Sequence, residues 1–66
     1  MKVRYGRDTH TFDRSLTVKT ILERLDIIPA GVIVAVNGQL VTRDERVQVG
    51  DEVEIVKAIS GGQRSR

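Results

Sequence analysis

A chain of 66 residues has room for one domain and one small core, because a protein of about this size buries only ~60% of the surface its unfolded form exposes, and that argues against an elaborate enclosed active site. The apolar fraction is 39%, with one Tyr, one Phe and no Trp, and Val and Ile dominate it; this favours a strand-rich domain packed on one helix over disorder. The absence of cysteine excludes a disulfide, a thiolate nucleophile and a Cys-ligated metal, and the net charge of +2 comes from acids and bases interleaved through most of the sequence, which disfavours nucleic-acid binding.

Met1, Val3 and Tyr5 alternate with Lys2 and Arg4, the period-two pattern of a strand with one buried face. Gly6-Arg7-Asp8 can turn the chain into a second strand over Thr9 to Asp13, with His10 and Phe12 on one face. The two segments therefore read as an N-terminal hairpin.

Val18, Ile21, Leu22 and Leu25 recur at the i, i+3, i+4 and i+7 spacing of an amphipathic helix, capped by Thr17 or by Ser15. Asp26 to Gly31 is expected to end it, because Pro29 cannot continue the hydrogen-bond ladder and Gly31 permits a turn. Ile27 and Ile28 are expected to help close the core.

Val32 to Val36 is a run of apolar, mostly β-branched residues, and Asn37-Gly38 after it is a strong hairpin signal leading into Gln39-Leu40-Val41. Thr42 to Val49 reads as a polar connection with isolated valines, and Gly50-Asp51 turns into a last strand from Glu52 to Ile59. In that strand Val53 and Ile55 share a face directed inward, leaving Glu54, Val56 and Ala58 on the other. The order of hairpin, helix, strand, short strand and strand is that of an α+β, β-grasp (ubiquitin-like) domain, a mixed sheet of four to five strands on one helix. Its first and last strands can lie parallel in mid-sheet, joined by a right-handed crossover. Residues 1–59 form the expected domain and 60–66 a flexible C-terminal tail. A monomer is expected, although a Val32–Val36 strand placed at a sheet edge would invite pairing.

Catalytic constellations are scarce. His10 is the only histidine and reads as a strand-face residue, with no second histidine for a metal site. Asp44-Glu45 and Glu52/Glu54 read as ordinary surface acids, and no phosphate-binding glycine motif occurs. No apolar run approaches the ~20 residues of a membrane helix and the N-terminus is not a signal peptide, so a cytoplasmic protein is expected.

What remains is Ser60-Gly61-Gly62. Glycines lack Cβ, so an extended tail containing them can enter a narrow catalytic cleft in a partner, and a terminal glycine carboxylate is the least hindered acyl group a protein can present. Activating it would need a partner enzyme and ATP, with no cofactor bound to the chain itself. Without cysteine, any carried sulfur has to sit on that acyl group.

The stretches Val34-Ala35-Val36-Asn37-Gly38-Gln39-Leu40-Val41, Arg43-Asp44-Glu45 and Gly50 through Gly62 resemble the ThiS sulfur carriers of the ThiS/MoaD ubiquitin-like family. The resemblance implies a β-grasp fold and a carrier that is not itself an enzyme. It also implies adenylation of Gly62 by a ThiF-like enzyme and conversion to a thiocarboxylate with persulfide sulfur from a donor such as a cysteine desulfurase. Thiazole synthase would receive that sulfur for thiamine biosynthesis. Docking is expected on the sheet face away from the helix, with Glu54, Val56 and Ala58 as candidates, while Ser60, Gly61 and Gly62 enter the partner's active site.

Members of that family usually end at the Gly-Gly, whereas this sequence continues as Gln63-Arg64-Ser65-Arg66, and an internal Gly62 offers an amide carbonyl instead of a carboxylate. Removal of residues 63–66 by a processing peptidase is the expectation; a cloning remnant or a member that has lost carrier chemistry are the alternatives. Other readings stay open: a MoaD-like carrier for molybdopterin or another sulfur pathway, a ubiquitin-like modifier joined through Gly62 to a lysine, and a β-grasp module that binds RNA or protein.

Overall fold

A computed structural model describes residues 1–58. The alternating N-terminal segment forms β1 (Lys2–Tyr5), which turns at Gly6, φ 62°, into β2 (Asp8–Thr11). The second strand starts one residue earlier and ends two sooner than the Thr9 to Asp13 that the sequence suggests, although Phe12 N–H still donates to the Met1 carbonyl at 3.1 Å. Then come β3 (Leu16–Thr17), α1 (Val18–Arg24), a 3-10 turn at Pro29–Gly31, β4 (Val32–Val36), β5 (Gln39–Val41), β6 (Arg46–Val47) and β7 (Glu52–Lys57).

The main sheet has the order β2-β1-β7-β4-β5. β1 and β7 run parallel, with Val3 beside Val53, and β7 is antiparallel to β4, with Ile55 beside Val34. This is the mixed five-stranded sheet and single main helix of the α+β, β-grasp architecture. The Val32–Val36 strand is interior: β5 covers one side and β7 the other, so an unbroken apolar, mostly β-branched run occupies a position where both backbone edges are bonded. β2 and β5 are the edges.

Helix α1 begins where the sequence places it. Thr17 Oγ1 accepts from Thr20 N–H at 3.2 Å, while the free N–H groups of Val18 and Lys19 donate to the carbonyls of Glu45 and Arg43, both at 2.9 Å. Ser15 has another task, donating from Oγ to the Val47 carbonyl at 2.9 Å. The helix ends before Pro29 is reached. Asp26 adopts φ 61°, Asp26 N–H donates to Glu23 at 3.2 Å and Ile27 N–H to Leu22 at 2.9 Å, the paired bonds of a Schellman stop with aspartate in the left-handed position usually held by glycine. Buried Ile27 and Leu22 supply its apolar contact, whereas Ile28 is 75% exposed and takes no part in the core.

The connection after β5 is more than a polar link. β6 pairs antiparallel with β3, Leu16 beside Val47, in a separate two-stranded ribbon. Val47 is wholly buried among Val3, Val18, Ile21, Leu22, Val34, Val53 and Ile55, while Val49 is half exposed. The last strand stops at Lys57, not at Ile59, which lies outside the described residues.

Candidate functional site

Strand β7 lies at the middle of the sheet, and its alternation sets its faces: Val53 and Ile55 are buried under α1, while Glu52, Glu54 and Val56 are exposed on the outer face. Both of its edges carry ladders, to β1 from Glu52 to Ile55 and to β4 from Val53 to Lys57. One residue past the strand, Ala58 N–H donates to the Gly31 carbonyl at 3.0 Å. The chain is thus held up to Ala58, four residues before Gly62, and four residues span at most ~14 Å. Ser60, Gly61 and Gly62 themselves lie outside the described residues.

Of the three docking candidates, Glu54 and Val56 stand exposed on the outer sheet face, and Ala58 is exposed but sits beyond the strand against Gly31. The register adds residues that the sequence did not single out. Ile33, 43% exposed, lies directly opposite Val56; Ala35 lies opposite Glu54; and Leu40, 74% exposed, lies opposite Ala35. Same-face neighbours across paired strands are ~5 Å apart at Cβ, so these apolar side chains form one patch near the point where the tail departs. A run such as Val32–Val36 has no polar alternation to show which members face outward, and only the pairing with β7 resolves it.

The opposite end of β7 is fixed by polar side chains. Asn37, at φ 53° in the β4–β5 turn, donates from Nδ2 to Asp51 Oδ1 at 3.1 Å, and its Oδ1 accepts from Glu52 N–H at 3.0 Å. The other Asp51 oxygen accepts from Gln48 N–H at 2.8 Å. That bond, followed by the one from Asn37, holds the Asp51 carboxyl below its ordinary value of 3.8. Asparagine thus supplies both the left-handed turn and the clasp on the first residues of the tail-bearing strand.

Among the described residues no three His, Cys, Asp or Glu side chains gather as metal ligands. His10 is half-buried opposite Val3. Asp44 and Glu45 are exposed in the loop that caps α1 through its backbone. No helix of the described residues is long and apolar enough to cross a membrane.

Comparison with known proteins gives a consistent picture. The sequence matches the ThiS family over residues 3–62, a stretch from β1 through the second glycine of the tail. The structure is similar to a crystal structure of a thiamine biosynthesis protein (ThiS) from Geobacter metallireducens, with 30% identity and a TM-score of 0.68 over 94% of this chain and 100% of that one. No curated protein sequence matches it. With a family match over nearly its full length and the same sheet-and-helix arrangement in a solved ThiS, the chain belongs to the ThiS family of sulfur carriers.

Proposed function

We propose that this chain carries sulfur as a thiocarboxylate on Gly62 and delivers it for thiazole formation in thiamine biosynthesis. The observation that carries this reading is the family match, which runs through the tail and ends at Gly62; the Geobacter protein of similar structure, a thiamine biosynthesis protein, supports the pathway. Removal of residues 63–66 by a peptidase would convert the Gly62 amide into a carboxylate.

The steps balance with partners of stated chemistry. A ThiF-like enzyme directs the Gly62 carboxylate oxygen onto the α-phosphorus of ATP, forming the acyl-adenylate and releasing pyrophosphate. A persulfide sulfur from a donor such as a cysteine desulfurase displaces AMP, giving an acyl disulfide. A thiol then attacks the donor-side sulfur, so that the S–S electron pair leaves with the acyl sulfur as a thiocarboxylate and the two thiols become oxidised to a disulfide. Thiazole synthase takes the sulfur.

This chain's share is presentation. Val53, Ile55 and the Ala58–Gly31 bond hold the root of the tail, and the outer-face patch, including Glu54 and Val56 with Ala58 at its border, docks the partner so that ~14 Å of tail reaches its active site. The test is ATP–pyrophosphate exchange with the adenylating enzyme of the same cells, comparing the chain ending at Gly62, the full 66-residue chain and one ending at Gly61. Exchange with the first alone is the expected result; equal exchange with all three, or none with any, overturns the reading.

A further inference from the structure

We propose that the outer sheet face carries an orientation key for the adenylating enzyme, made of two parallel stripes of opposite charge; the proposal rests on the carrier reading above. Lys2 and Arg4 stand on β1 and Glu52 and Glu54 on the adjoining β7, all exposed, and the register sets Lys2 beside Glu52 and Arg4 beside Glu54. Because the two strands are direct neighbours and the outer-face charges are spaced by two in both, these two bases fall on one strand and these two acids on the next, ~4.8 Å away. The small Thr9, Ala35 and Gly38 around them leave a cleft of about 410 Å³ that both stripes line.

Beside this cleft lies the apolar patch of Ile33, Leu40 and Val56, with Ile33 and Val56 toward the root of the tail and Leu40 level with Glu54 across Ala35. An apolar patch has no preferred direction, since its gain depends on area removed from water. A carrier whose tail must enter one cleft of a partner needs direction. The stripes supply it: a partner presenting acids to Lys2 and Arg4 and bases to Glu52 and Glu54 is attracted in one pose. Half a turn in the plane of the sheet would set like charge on like, and it would also point the tail away from the partner's active site. The partner that fits is therefore a protein surface with an apolar area bordered by adjoining acidic and basic groups in that order.

The competing explanation is that these charges serve only one another across the two strands. Inverting all four, Lys2→Glu, Arg4→Glu, Glu52→Lys and Glu54→Lys, separates the two, because it keeps every cross-strand pair and the net charge while reversing the direction of the field. Binding to the adenylating enzyme of the same cells is measured by calorimetry at low and high salt, alongside thermal unfolding. The expected result is a native-like unfolding transition with affinity weakened ~10-fold or more at low salt, the gap narrowing at high salt. Should the quadruple variant fail to fold, the single-row exchange Arg4→Glu with Glu54→Lys gives the same comparison, with a smaller loss of ~3-fold or more expected. A folded inverted protein that binds within ~2-fold of the native one overturns the key and leaves the carrier reading intact; a native chain ending at Gly62 that neither binds nor is adenylated overturns both.

Discussion

Replacing Val47 with Ala tests whether the connection between β5 and β7 is part of the core. Val47 is 0% exposed, lies in the two-residue strand β6 opposite Leu16, and packs in the same cluster as Ile21, Leu22 and Val53. The change removes two buried methyl equivalents, worth ~0.8 kcal/mol each in transfer, and the remaining void adds to that, for a total of about 2–3 kcal/mol. A domain of this size has a total stability of only ~3–10 kcal/mol, so the loss is large, and at ~4–8 °C per kcal/mol it lowers the Tm by roughly 10–20 °C. Val49→Ala, at a residue 50% exposed two positions on, is the control, expected within ~0.5 kcal/mol of the native protein. Urea and thermal unfolding followed by circular dichroism give both numbers. Equal, small effects of the two changes would refute the placement of β6 and, with it, the account of how the loop carbonyls of Arg43 and Glu45 hold the start of α1.

Further expectations concern the clasp and the outer face. Asn37→Gly keeps the left-handed turn but loses both side-chain bonds, whereas Asn37→Ala also strains the backbone and should cost ~1 kcal/mol more in urea unfolding. Asp51, whose folded pKa is lowered, contributes stability that is fully present above its unfolded value of 3.8 and is lost as pH falls through the folded value below it. Unfolding measured across that acid range should show this loss in the native protein, and Asp51→Asn should remove the Asp51 part of the slope. Val56→Asp, at a side chain 49% exposed in the central strand, should cost about 1–2 kcal/mol, from strand propensity and half the valine's burial, yet raise the KM for adenylation ~10-fold or more with kcat little changed, as removal of a docking contact does.

Much of this architecture was legible because its signals are local. Asn37-Gly38 forms the expected hairpin turn, Thr17 caps α1, and the alternation of Glu52 to Val56 sorts inward from outward correctly. What escaped sequence reasoning depends on distant partners. Strands of two residues have no period to detect, so β3 and β6 emerge only when Leu16 meets Val47. α1 stops at Asp26, the first residue of the segment expected to end it, but by another device: Pro29 and Gly31 offer a more familiar stop that is not the one used, while Asp26 occupies a left-handed position where glycine is the usual signal. Ile27 and Ile28 are chemically alike, and only the Ile27–Leu22 bond of that stop decides which turns inward. The position of Val32–Val36 within the sheet is a property of strand order, which composition does not encode. At the site, Glu54 and Val56 were placed on the outer face from their own strand, while Ile33 and Leu40 needed the register, and the charge stripes needed the parallel pairing of β1 with β7.

The central claim, that Gly62 becomes the acyl group that bears sulfur, is tested most directly by the intact mass of the protein isolated from its own cells during thiamine-limited growth. The account expects a species ending at Gly62 in which one carboxylate oxygen is replaced by sulfur and which reverts to the carboxylate on hydrolysis. A protein that retains Arg66 throughout, with no acyl modification even where the adenylating enzyme is active, would contradict it.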